Sequence, residues 1–188
     1  MKTLEDITEE TKLFVFEEFE ANPHYSFGDG TIMYQHSLHV LDFALELASE
    51  FTCDKTVVTL EALLHDIGKT YKADEETLHA KHHELGWKVC EKYLKSLKLT
   101  TEQMDELKKF FEKKTDSVES RIVKDADVIA FFADPRLHTK FKLWAEDRGK
   151  NDELARKLSK FDSLQFAASK QIAQVHYDKL KQKWLSTT

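Results

Sequence analysis

Four side chains in this sequence have the types needed to hold one divalent cation: His36, His65, Asp66 and Asp127. His65 and Asp66 follow the apolar Leu63-Leu64 and precede Ile67-Gly68-Lys69. Burying an ionisable pair without partners is costly. A divalent cation removes that cost, because it accepts imidazole nitrogen and carboxylate oxygen together. Adjacent helical residues point about 100° apart, so a metal near a helix end can touch both side chains. His36, in Tyr34-Gln35-His36-Ser37-Leu38-His39-Val40, and Asp127, in Val123-Lys124-Asp125-Ala126-Asp127-Val128-Ile129, complete the set, with Asp125 as the competing carboxylate. Two imidazoles and two carboxylates leave positions open for water and a substrate oxygen. Mixed nitrogen and oxygen ligation suits Mn, Fe, Co or Ni, and Mg less well. The plainer alternative for His65-Asp66 is a helix C-terminus with a histidine set against the dipole. For Asp127 it is a polar position on a solvated face, against which its flanks Ala126, Val128 and Ile129 argue.

Three helices must carry these residues. The apolar rhythm predicts a first helix over about 3–20, with Leu4, Ile7, Phe14, Phe16 and Phe19, and a loop over 22–31 containing Pro23, Gly28 and Gly30. Helices follow over about 32–51 and 55–67, the latter capped by Asp54 and ended by Gly68. A polar loop, 68–77, precedes a helix over 78–97. Thr100 with Gln103 reads as a capping box for a helix to about 114, and Asp116 with Glu119 as the start of one to 133, stopped by Asp134-Pro135. The tail, 137–185, reads as one or two further helices, with Phe161, Leu164, Ala168, Ile172 and Val175 as a stripe in the last. Alternating strand patterns are absent, so the fold class is all-α.

Composition agrees. With only 5 Gly and 2 Pro in 188 residues there is little material for the many turns of a sheet-rich fold, and 13 Phe and 3 Trp argue against disorder. Net charge is −6, which gives no basic footprint for a dedicated nucleic-acid binder. A bound metal would still supply local positive charge for a small phosphorylated substrate. Cys53 and Cys90 read as two reduced, buried thiols. The first residues turn acidic at once and show no signal-peptide core, and the longest apolar run, 128–133, is far too short for a membrane span. The expectation is a cytoplasmic protein with no membrane association.

The ordered segments His36, "LLHDIGK" at 63–69 and "VKDADVI" at 123–129 resemble the HD-domain superfamily of metal-dependent phosphohydrolases over about residues 32–133. The resemblance implies a single HD-type domain over 1–188, with an N-terminal helix and a C-terminal helical extension, 137–188. It implies metal ligation by His36, His65, Asp66 and Asp127, the last rather than Asp125. It also implies that Asp66 orients the attacking water, that Lys69 meets a phosphate oxygen and that His82, four residues before Gly86, faces the site. Lys69 read alone is equally a charge welcome at a helix end. His39 shares a helix face with His36 and reads as a pocket residue, while His24, His79, His138 and His176 read as ordinary. Branches with a secure two-metal site usually carry a further His before the last motif. Here that stretch is Phe110-Phe111-Glu112-Lys113-Lys114-Thr115-Asp116, so one ion is expected rather than two, and Lys108–Lys114 reads as a solvated face.

The implied activity is hydrolysis of a nucleotide or other small phosphorylated metabolite. Two rivals share the scaffold: a di-iron oxygenase, which needs the missing histidine, and a non-catalytic nucleotide-binding sensor.

Overall fold

The computed structural model describes residues 2–22, 29–150 and 152–185, with the side chains of Glu75, His79 and Leu185 left aside. Among these residues it is all helical, without strands. The helices are α1 (Leu4–Ala21), α2 (Gly30–Ala48), α3 (Lys55–Leu64), α4 (Glu75–Ser96), α5 (Thr101–Phe111), α6 (Val118–Ala133), α7 (Pro135–Asp147), α8 (Asp152–Ser159) and α9 (Ala167–Leu185). Short 3-10 turns, Ile67–Thr70 and Lys160–Ser163, follow α3 and α8. None of the described helices is long and apolar enough to cross a membrane.

The centre of the fold is α3. Every residue from Val57 to Leu64 is buried, polar Thr59 and Glu61 included, so α3 is enclosed on all sides. It packs against α1, α2, α5 and α6, and α9 lies along α6. Asp54 starts α3 by accepting from the backbone N–H groups of Thr56 and Val57, at 2.8 and 3.3 Å. The consequence for function is positional: whatever ends α3 ends in the middle of the protein.

Several boundaries differ from those the sequence suggests. The predicted 55–67 helix stops at Leu64, and the chain tightens into the 3-10 turn that packs on α4. Gly68 therefore serves as a point of close approach and not as a helix terminator. A Cβ on it would lie 1.7 Å from the His82 carbonyl oxygen and 2.5 Å from the Gly86 nitrogen. Gly30, expected in a loop, is the first residue of α2. A Cβ there would lie 2.1 Å from the Phe19 carbonyl oxygen, so glycine sets how closely α1 and α2 meet. The rest of that expected loop, 23–28 with His24, lies outside the described residues.

The Thr100–Gln103 capping box is present, but α5 ends at Phe111 and Lys113 takes a left-handed conformation (φ 55°). Ser117, not Asp116, caps α6, accepting from the Ser120 N–H at 3.2 Å, because a hydroxyl one residue later reaches that donor. Asp134 does end α6, and it also caps α7, with Pro135 as the first helical residue.

The tail holds three α-helices where one or two are expected. The Phe161–Val175 stripe is not one helix face: the chain breaks at 164–166 and Val175 is 57% exposed. The break is held by buried Asp125, whose carboxylate accepts from the backbone N–H groups of Gln165 (2.9 Å) and Phe166 (3.1 Å). Both cysteines are free thiols.

Candidate metal centre

The first turn past α3 delivers His65 and Asp66, both 6% exposed. Nδ1 of His65 donates to the Ala62 carbonyl at 2.8 Å. In the neutral ring that bond leaves the lone pair on Nε2. Nε2 lies 3.4 Å from Asp66 Oδ2 and 3.8 Å from Asp127 Oδ1, yet has no hydrogen-bond partner among the described residues.

His36, buried on α2, points its Nε2 at Asp127 Oδ1, 3.0 Å away, and its ring meets that of His65 edge-on at 5.3 Å. One donor atom from each of His36, His65 and Asp127 lies within 4.8 Å of the others. The Asp127 side chain is 48% exposed, although it stands among packed helices, because it opens onto a cavity.

This cluster fits a cation. Two nitrogens and one oxygen converge, and His65 Nε2 is an orphaned lone pair aimed into their midst. Mixed imidazole and carboxylate donors suit a divalent transition metal.

Asp66 stands beside the three. Its Oδ2 accepts from the Lys69 ammonium, and its Oδ1 lies 3.9 Å from His82 Nε2. The electrostatics follow. Burial alone would raise the Asp66 carboxyl, but Lys69 and His65 outweigh it and hold the group well below the usual carboxylate range. Burial likewise opposes ionisation of Asp127, and the His36 hydrogen bond with the His65 charge overcomes it. Burial lowers His36, more than Asp127 raises it. For His65 burial also lowers, but the two aspartates leave it raised. Both carboxylates are thus poised as anions facing imidazoles.

Asp125 lines the same cavity, but its carboxylate is taken by the backbone N–H groups of the 164–166 break. His39 lies 3.6 Å from the Asp134 carboxylate and does not line the cavity, in contrast to the pocket role its register suggests. His138 bonds to the Phe131 carbonyl, and His176 meets the Phe43 ring at 6.2 Å.

The cavity, about 450 Å³, opens from His65 and Asp127. Phe110, Phe131, His83 and Lys157 are among its walls. Burial, with the charges of His82 and Lys113, depresses His83 to about 3. Sequence reading missed His83, which its neighbour His82 overshadowed. It also missed Lys157, which lies in the tail beyond any motif. Lys113, read as part of a solvated face, is a cavity residue.

An all-helical chain with histidine and aspartate from separate helices facing one cavity defines a class of metal-centred helical domains. Residues 33–131 match the HD domain family, and the chain belongs to it. A solved structure, an HD-superfamily hydrolase from Bacillus thuringiensis, superposes with a TM-score of 0.72. The alignment covers 98% of this chain and 96% of that one at 19% identity, so the two share a fold. No curated protein matches the sequence.

Proposed function

We propose that the protein is a metal-dependent phosphohydrolase acting on a nucleotide or another small phosphorylated metabolite. The observation that carries this reading is the convergence of His36 Nε2, His65 Nε2 and Asp127 Oδ1, with His65 and Asp127 lining a cavity. These three, joined by Asp66, are the ligands of one divalent transition metal, Mn, Fe, Co or Ni in preference to Mg. When bound, the ion supplies positive charge for a phosphate oxygen and acidifies a water. Family membership and the hydrolase described for the Bacillus thuringiensis relative support the reaction class.

The chain's own residues do the rest. Asp66, kept ionised by Lys69 and His65, orients the attacking water and accepts its proton. Its ion pair with Lys69 holds that ammonium beside the cluster, where it neutralises charge on a non-bridging phosphate oxygen. His82 approaches the same carboxylate from α4, 3.9 Å from Asp66 Oδ1, and in this reading helps Lys69 neutralise charge developing on the phosphoryl group. The small cavity and the net charge of −6 favour a small molecule over a nucleic acid.

Metal analysis of the purified protein and a screen of phosphorylated metabolites with added Mn, Co or Ni test the proposal. Phosphate release that Asp66→Ala abolishes is the expected result. Release unchanged in that variant, or a wild type that binds no metal, would overturn it.

A further inference from the structure

One lysine of the C-terminal extension stands where an apolar side chain would be expected. In α8, Leu154, Lys157 and Leu158 share one face by their spacing of three and four residues, and the two leucines pack on the core. Lys157 is half-buried on that face. Its Nζ lies 4.5 Å from the Phe131 ring centroid and 5.3 Å from that of Phe141. It makes no ion pair among the described residues. The two rings hold the ammonium by cation–π attraction, but they do not neutralise it.

The side chain belongs to the metal centre. Lys157 lines the same cavity as His65 and Asp127. Burial lowers its ammonium, the Asp127 charge opposes that, Lys69 adds to it and Asp66 opposes it again. Two ammonium groups, one from the turn after α3 and one from α8, therefore feel each other beside the cluster. They differ in one respect. Lys69 hydrogen-bonds to Asp66, whereas Lys157 stops short of both carboxylates and is compensated only from a distance. With Asp66 and Asp127 engaged by a divalent ion, even that compensation is lost. A partly desolvated ammonium without a counter-ion is costly. An apolar residue on the Leu154–Leu158 face would avoid the cost. An anion in the cavity between Lys157 and the cluster removes it, and the low-dielectric walls strengthen the attraction.

We propose that Lys157 contacts the same phosphate that the metal centre receives, as a second cation on its non-bridging oxygens beside Lys69. The assignment rests on the phosphohydrolase reading and adds to it a residue beyond the matched stretch, 33–131. It gives the C-terminal extension a part in the site. No residue of α8 is fully buried, yet the helix delivers a phosphate-binding group, and Phe131 and Phe141 form the seat that aims it. Lys160 also lines the cavity, but its side chain is exposed and its charge is screened by solvent.

The test is equilibrium binding of inorganic phosphate to the Mn-loaded full-length protein, with Mn content and Tm measured on each sample. Lys157→Met keeps the length of the side chain and its packing on the two rings. Its phosphate affinity is expected to fall about tenfold or more, the scale of a charge-assisted hydrogen bond, with Mn content unchanged and Tm not lowered. Lys157→Arg, which restores the charge, is expected to recover most of the loss. Lys160→Met is expected to change the affinity by about twofold or less, as for a screened charge. A wild type that binds no phosphate, or an affinity unchanged in Lys157→Met, would overturn the assignment. So would a loss that Lys157→Arg does not recover, which would point to packing, or an equal loss in Lys160→Met, which would point to a diffuse field. Turnover on the same samples keeps the two readings apart. Hydrolysis that Asp66→Ala abolishes and Lys157→Met leaves at the wild-type kcat/KM keeps the hydrolase and removes Lys157. Phosphate binding that depends on Lys157 in a protein without turnover does the reverse.

Discussion

Nε2 of His36 and Oδ1 of Asp127 lie 3.0 Å apart across 91 residues of sequence, so α2 and α6 are fastened at the metal centre. Asp125, two residues earlier on α6, instead accepts from the Gln165 and Phe166 N–H groups and secures the start of α9. The two aspartates should therefore fail in different ways. Asp127→Ala is expected to lose bound metal and turnover while keeping its helical content. Asp125→Ala is expected to keep its metal but to lose about 1–3 kcal/mol of stability, the cost of leaving buried backbone donors unpaired. Metal analysis beside urea melts reads both. A metal-replete Asp127→Ala protein would remove that residue from the ligand set.

Metal removal should be visible in stability even without a substrate. A ligand that binds only the native state adds about 2.7 kcal/mol at a hundredfold excess over its Kd. For a chain of this size that corresponds to about 5–10 °C in Tm. Manganese added to chelator-stripped protein is expected to give such a shift in the wild type and none in His65→Ala, where the orphaned Nε2 is gone. An equal shift in both would place the stabilising ion elsewhere.

Much of the site is legible before the fold. His36, His65-Asp66 and Asp127 interrupt apolar helical segments, and ionisable groups there need a reason. Asp125 and Asp127 are harder to tell apart, since residues two apart on a helix point about 200° away from each other and only packing says which side faces inward. The break at 164–166 is hidden in the sequence because it is held by a carboxylate 40 residues earlier, not by any local turn signal. Lys157 is hidden for a similar reason: a lysine on a cavity wall and one in water are identical in sequence. Gly68 is legible as a glycine with a purpose, but the purpose lies on α4, out of reach of local rules.

That purpose gives a mutational expectation. A Cβ added at Gly68 would stand 1.7 Å from the His82 carbonyl oxygen, so the clash is with backbone and cannot be relieved by a rotamer change. Overpacking ordinarily costs about 1–3 kcal/mol. Gly68→Ala should reach or exceed the top of that range, because the 3-10 turn must shift away from α4. His82 and Asp66 would move apart with it, so kcat should fall along with Tm. Gly86→Ala meets the Phe111 ring instead, at 2.6 Å, and that buried side chain has little room to turn. It should destabilise without separating His82 from Asp66. A Gly68→Ala protein as stable and active as the wild type would refute the close-packing account.

Glu61 supplies a pH dependence that owes nothing to the metal centre. It is fully buried in α3, and neither carboxylate oxygen has a hydrogen-bond partner among the described residues. Burial, with the charges of Glu106 and Glu119 added, raises its pKa well above 4.5. In the pH range above 4.5 the native state therefore holds a proton that the unfolded chain releases. Stability from this group is complete below the unfolded pKa and declines as pH rises through the folded one. Replacing the carboxyl by an apolar side chain of similar length removes both the decline and the unpaired polar atoms. Glu61→Met is expected to stabilise the protein by about 1–3 kcal/mol at pH 8, with the gain shrinking towards pH 4.5. Urea melts of the two proteins across that range measure it. A Glu61→Met variant less stable than the wild type at pH 8 would mean that the carboxylate has found a partner in solution and that its ionised form is accommodated in the core.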